Sequence, residues 1–249
     1  MDIKTSKFGV GEIIRKGWQV YWANLTNILL AVLCVYIPIN IIISFIPNGE
    51  IGSTPYKLRD NVSALIEGLF GIIVWIAIAY IAEKGIQGEN IGWTKALKHG
   101  FSRWGSAIGT IIMASVIMLA LMLLLIVPGI IQAVYYSFIV YVVALRSIGG
   151  KAALDYSKNL VKGQWWRVAG ISWLIFILYS LVNFIFAIPF AFLPTHQIVD
   201  VIRPTVSNVI EALYYVMMVI FFLNTDYLKN PAAIAPVDSV EEVIPATQL

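Results

Sequence analysis

The chain has 249 residues, 59% of them hydrophobic and 12% charged, about half the charged share of an ordinary soluble protein. With a mean hydropathy of +0.83 it holds more apolar surface than one core of this size can hide, which excludes a water-soluble globule and requires contact with lipid. The formal net charge of +3 is too small, and the composition too apolar, for a nucleic-acid module or a disordered chain.

A helix that crosses a bilayer needs roughly 20 mainly apolar residues, because every backbone N–H and C=O in lipid must pair within its own segment. Ahead of the first such run, Ile14, Trp18, Tyr21 and Leu25 recur at helical spacing with Glu12, Arg15, Lys16 and Gln19 opposite, which predicts an amphipathic helix. The first span falls near 27–46. It is too long for the apolar core of a signal peptide and no small-x-small cleavage pattern follows it, so it is read as retained. Cys34, inside it, is the only cysteine, which removes an intramolecular disulfide and any multi-cysteine metal site.

The second span falls near 64–81. Trp93, Leu97, Phe101 and Trp104, set against Lys95, Lys98 and Ser102, then predict a second amphipathic helix leading into a third span near 106–127. Pro128 and Gly129 break a helix and predict a tight reversal into a short fourth span near 129–145, a re-entrant segment being the alternative. A third amphipathic stretch sets Ala153, Tyr156, Leu160 and Val161 against Lys151, Lys158 and Lys162 and ends in Trp165, Trp166 and Arg167. It leads into a fifth span near 168–193, and the sixth falls near 206–223. Residues 230–249 are acidic, proline-bearing and without periodicity, and are expected to form a disordered tail after a single membrane domain over 1–229.

The predicted fold is therefore all-α: a polytopic integral membrane helical bundle of six transmembrane helices in three hairpins, each hairpin preceded by an amphipathic helix. All Lys and Arg except Lys57, Arg59 and Arg203 fall on one side of these spans. The positive-inside rule then places both termini in the cytoplasm and the protein in the plasma membrane. Basic helices with tryptophan at the lipid boundary lie among headgroups. Arg15, Lys16, Lys95, Lys98, Lys158, Lys162, Trp104, Trp165 and Trp166 are accordingly candidates for binding anionic headgroups or docking a partner or second copy. The alternative is that they only set the depth of the spans.

Two stretches are more specific. Leu125, Ile126, Val127, Pro128, Gly129, Ile130 and Ile131 form an apolar Pro-Gly-Ile segment, and Ala153 to Gly163 reads A-L-D-Y-S-K-N-L-V-K-G, followed by two tryptophans. Together they resemble the YciC-like family of membrane proteins, and are similar to the membrane domain attached to some glycerophosphoryl diester phosphodiesterases. Gly11 to Trp18 looks like the amino-terminal helix of the same families. The resemblance covers most of residues 9–225 and implies a six-helix membrane protein. Phosphodiesterase chemistry in those relatives belongs to a separate soluble barrel, so no catalytic residue is carried over.

His99 and His196 fall on opposite sides of the predicted membrane, which excludes a shared metal, and neither an H-E-x-x-H nor a G-x-S-x-G sequence is present. No catalytic residue, metal ligand or cofactor is predicted. The misplaced charges are Glu67 and Glu211, each about one turn inside the outer end of its span, where a carboxylate is costly unless paired or snorkelling. Gln132, Tyr135, Tyr136, Tyr214, Tyr215 and, deeper, Asn183 fall at comparable levels. If these faces converge they form an outward polar pocket for a cation or a proton, with Arg203, Arg59 or Lys57 able to neutralise one carboxylate; otherwise the glutamates simply reach headgroups. Pro38 with Asn40, and Pro189, mark either unwound backbone at a transport site or ordinary kinks. Gly68 with Gly71, and Gly105 with Gly109, would permit close helix approach. Two functions follow: a non-enzymatic protein of envelope organisation or lipid interaction, or a secondary transporter or channel using the pocket.

Overall fold

A computed structural model describes residues 6–46, 54–193 and 197–230, without the side chains of 54–59 and 197. Among the described residues there are nine helices: α1 Val10–Ala23, α2 Leu25–Ser44, α3 Thr54–Ile86, α4 Trp93–Leu124, α5 Ile126–Tyr135, α6 Ile139–Arg146, α7 Gly150–Val161, α8 Trp165–Ala191 and α9 Gln197–Lys229. Six segments are long and apolar enough to cross a membrane, namely Leu25–Ser44, Asp60–Ile86, Trp93–Leu124, Ile126–Arg146, Trp165–Ala191 and Ile198–Lys229. The chain is thus an all-helical multi-pass membrane bundle. The tail expected to be disordered lies, beyond Asn230, outside the described residues.

The three amphipathic stretches take different forms. α1 is a separate helix that buries Ile13, Gly17, Val20 and Tyr21 on one face. It crosses α9 closely at Gly17, where an added Cβ would lie 2.7 Å from Met217 Cγ. Asn24 ends it: its backbone N–H and its Nδ2 both donate to Val20 O, at 3.1 and 2.9 Å, and a side-chain amide competing for a helix carbonyl favours termination. The second stretch is continuous with its span, so that α4 is a single helix of 32 residues. α7 is again separate, closed by Gly163 at φ 81°, a conformation that a side chain disfavours.

The centre of the bundle is α9, whose residues 215–227 are all buried, packed against α1, α2, α3 and α8. α8 is peripheral. Its Trp173, Phe176, Ile177, Leu181, Phe184 and Ile185 are exposed, as is the α4–α5 tip with Leu123 at 80% and Leu124 at 76%; apolar exposure on this scale in a helix of spanning length is a lipid face.

The reversal after the third span is not made by Pro128 and Gly129, as the sequence suggested. Leu125 makes it, in an extended conformation at φ −157° and ψ 133°. Pro128 is the third residue of α5, in the first turn, where a missing N–H costs no helical hydrogen bond. Gly129 instead lets α5 approach α4: a Cβ there would lie 2.2 Å from Met122 Cγ. The fourth span itself is broken between Tyr135 and Ile139. Ser157 of α7 fills the break, its Oγ donating to Tyr135 O at 2.8 Å and accepting from Phe138 N at 3.3 Å. α2 and α8 run unbroken through Pro38 and Pro189, the kink reading rather than unwound backbone. An added Cβ on Gly68, Gly105 or Gly109 would meet nothing within 4 Å, so these glycines make no close helix contact among the described residues.

Candidate functional site

Glu67 of α3 and Glu211 of α9 line one cavity of about 240 Å³. Helical spacing builds its walls. Glu67, Gly71 and Trp75 recur every four residues on α3, Asn208, Glu211 and Tyr215 at three and four on α9, and each set shares a face; Tyr36 of α2 closes the third side. Tyr215 OH donates to Glu211 Oε1, and the Trp75 and Tyr215 rings stand 4.6 Å apart at 58°. The Tyr36 hydroxyl comes so near α3 that a Cβ at Gly71 would lie 2.8 Å from it. No Lys or Arg side chain lines this cavity among the described residues.

Glu67 also borders a second cavity of about 460 Å³, lined by Asn40, Asp60, Asn183, Asp200, Arg203 and Ser207 among others. It lies toward the end of the bundle formed by the last turns of α2 and the first turns of α9. Asn183 Nδ2 donates to Ser207 Oγ at 2.7 Å and to Tyr179 OH at 3.2 Å, and Asn40 Nδ2 to Thr205 Oγ1 at 3.0 Å. Two buried amide atoms along these cavities, Asn40 Oδ1 and Asn208 Nδ2, have no hydrogen-bond partner among the described residues. An unmet buried polar atom is rare enough to call for a ligand or a water.

Of the eight residues expected to form an outward pocket, Glu67, Glu211, Asn183 and Tyr215 are brought together along these two cavities, and Tyr136, at the end of α5, is not part of their lining. Tyr214 stands just behind, its ring 5.4 Å from Tyr179 and 5.6 Å from Tyr215, facing an apolar crevice between α1, α8 and α9. Gln132 and Tyr135 do not join them. They sit on α5, where Tyr135 lines a separate groove with Val127, Ile130, Trp165 and Trp166. Tyr36, Trp75 and Asn208 went unremarked as site residues, although Trp75 and Asn208 share a helical face with Glu67 and Glu211; Asn40, singled out with Pro38, lines the larger cavity. Arg203 is exposed at the larger cavity; the side chains of Lys57 and Arg59, and all of His196, lie outside the described residues. His99 bonds Ala144 O through Nε2 at 2.8 Å and stacks on Tyr80. No group of three or more His, Cys, Asp or Glu capable of holding a metal occurs among the described residues.

The opposite end carries a buried ion network that the sequence reading missed. Arg146, the last residue of α6, donates from Nη1 to Glu83 and from Nε to Asp226, both at 2.7 Å. Asp226 also accepts from Tyr156 OH at 2.5 Å and Asn230 Nδ2 at 2.9 Å. Burial, and next its bond to Asp226, push the Tyr156 phenol up to about 12. Nearby, Asn224 Oδ1 accepts from Phe8 N at 3.0 Å and from Arg167 Nη2 at 3.3 Å, tying the segment before α1 to α8 and α9.

Among the residues considered for headgroups, Arg15, Lys95, Lys98, Lys158 and Lys162 are exposed. Lys16 Nζ lies 4.2 Å from the Phe8 ring and Lys158 Nζ 5.9 Å from that of Tyr135. Two of the three indole N–H groups are satisfied within the protein: Trp104 donates to Leu69 O at 2.7 Å and Trp165 to Ile131 O at 3.1 Å. Trp166 is 82% exposed.

Comparison of the chain with known proteins finds no matching family model, no matching curated protein and no matching solved structure.

Proposed function

We propose that this protein binds a small cation in the Glu67–Glu211 cavity and carries it, or a proton in exchange, across the membrane as a secondary transporter or channel. One observation supports this above others: two carboxylates from separate spanning helices share a cavity to which, among the described residues, no basic side chain contributes. Intramembrane acids mark ion and proton pathways by default, because a helix that merely packs has no use for their desolvation cost. In this reading the site opens through the Asp60–Asp200–Arg203 cavity to the outer face of a plasma membrane. The sidedness rests on the Lys and Arg asymmetry, which also sets both termini in the cytoplasm.

The test is transport. Full-length protein in liposomes loaded with a pH-sensitive dye is exposed in turn to sodium, potassium, choline and a pH step. Flux that Glu67→Gln and Glu211→Gln each abolish, in variants that still melt cooperatively, is the expected result; no flux of any probe, or flux indifferent to both substitutions, overturns the reading.

A second reading, non-enzymatic membrane organisation through lipid contact, draws on a different observation. α1 leans on α8 and α9 over an apolar crevice of about 200 Å³ lined by Ile14, Trp18, Ile175, Leu178 and Met217, while Arg15 on the same helix is exposed. That pairs an apolar slot with a cationic rim, which suits an anionic lipid. Binding to vesicles that rises with anionic lipid content and falls with salt is its signature.

A further inference from the structure

The proposal of a cation site leaves open which cation. We infer that the Glu67–Glu211 cavity takes a small organic ammonium ion held in an aromatic box, an inference that rests on the cation-binding reading above.

Three properties of the cavity favour an alkylated or hydroxylated ammonium over a bare metal ion. The first is size and ligand count. A metal cation of the hard kind takes six or more oxygens at about 2.0–2.6 Å, whereas this cavity is about 240 Å³ with two carboxylates, and no third His, Cys, Asp or Glu completes a metal-holding group among the described residues. The volume is below that of a drug-sized pocket and suits a ligand of a few heavy atoms. The second is the wall. Tyr36, Trp75 and Tyr215 all line the space, and the tilt of Trp75 against Tyr215, 58° at 4.6 Å, makes a corner of two rings. Aromatic faces attract cations, tryptophan most strongly, and desolvated aromatic cages are the recurring receptor for quaternary ammonium groups. The third is the unmet amide. Asn208 is 8% exposed, lines the same cavity and has no partner for Nδ2. A donor in that state calls for an oxygen acceptor, a water or a ligand oxygen, and the hydroxyl of an amino alcohol supplies one.

The route is consistent with this ligand. Glu67 belongs to both cavities, so a cation reaching the larger one past Asp60 and Asp200 meets Glu67 before the aromatic corner. Asp60, Asp200 and Glu67 outnumber Arg203 in the lining of that cavity, and a net acidic mouth raises the local concentration of cations.

The experiment is calorimetric titration of the full-length protein in nanodiscs with tetramethylammonium, choline and ethanolamine, and separately with sodium, potassium and magnesium. The organic ions are expected to bind at one site, with affinity reduced on the order of tenfold or more by Trp75→Leu and by Glu67→Gln, and largely kept by Trp75→Phe. Glu67→Gln carries the test if Trp75→Leu does not fold, since Glu67 is partly exposed and its loss removes no packing. Binding of sodium or potassium that depends on both glutamates, with none of the organic ions, overturns the ammonium inference and leaves the cation site standing. Organic ions that bind equally well to Trp75→Leu and Glu67→Gln overturn it as well, because they then sit elsewhere. Absence of any cation binding overturns the inference and the reading beneath it together.

Discussion

Arg146 and Asp226 meet at 2.7 Å across 80 residues of sequence, joining α6 to α9, with the carboxylate completely buried. The same guanidinium reaches Glu83 of α3, so one side chain holds three helices at the basic end of the bundle. A planar fork with several donors can do this; a lysine ammonium on a flexible stem cannot hold both acids in fixed geometry.

Arg146→Met should therefore be severe. It strands two buried carboxylates, and breaking a buried pair by removing one partner costs about 3–5 kcal/mol. A large fall in the melting temperature of the detergent-purified protein is expected, with Arg146→Lys recovering only part. The triple change Arg146→Met, Glu83→Gln, Asp226→Asn should recover more than Lys does, because it removes the stranded charge itself. An Arg146→Met protein that melts like the parent would mean the network carries no stability.

A second donor to Asp226 gives the network a pH dependence. Tyr156 has its phenol pushed up to about 12 from 10.0 by burial and by the bond it donates to Asp226. The folded value lies above the unfolded one, and the protonated phenol is the form that bonds. Its contribution is therefore whole below pH 10 and is lost as pH rises toward about 12. Tyr156→Phe should lower the melting temperature at neutral pH by the equivalent of about 1 kcal/mol, a low figure for a bond to a charged group because Tyr156 is only half-buried. The variant's melting temperature should also fall less than the parent's across the alkaline range. Parallel profiles for the two proteins would refute the assignment.

How much of this was legible in the sequence follows from the range of each interaction. The six spans were readable because each backbone group in lipid pairs locally, which leaves long apolar runs. Glu67 and Glu211 were readable as a pair because each interrupts such a run at a matching distance from its end. Glu83, Arg146 and Asp226 were not: each falls within three residues of the end of a predicted span, where charge is ordinary, and nothing local marks a partner far along the chain. Gln132 and Tyr135 were assigned to the pocket by depth alone, which does not fix the direction in which a helix faces; α5 packs mainly on α4, α7 and α8. Pro128 and Gly129 misled for a related reason. A Pro-Gly pair signals a turn only when both lie between helices, and here one occupies a tolerated first-turn position while the other serves a helix contact with Met122.

The glycines of α4 separate contact from mere spacing. Gly100 and Trp104, one turn apart, face Ile73 and Leu69 of α3, also one turn apart; Trp104 donates to Leu69 O, and a Cβ on Gly100 would lie 2.5 Å from Ile73 O and 3.3 Å from Ile73 C. Those are backbone atoms, so Gly100→Ala must push the helices apart, and overpacking of this kind costs about 1–3 kcal/mol. Gly105 and Gly109 have the spacing associated with helix association, yet a Cβ on either meets nothing within 4 Å. Alanine at these two positions should be neutral or should stabilise by about 0.5–1 kcal/mol per site through helix propensity. Melting temperatures of the three single variants decide it: the expected order places Gly100→Ala well below the parent and the other two at or above it. Equal losses at all three would mean that the outer face of α4 is packed against something, and a second copy of the chain would then be sought by the mass of the purified particle.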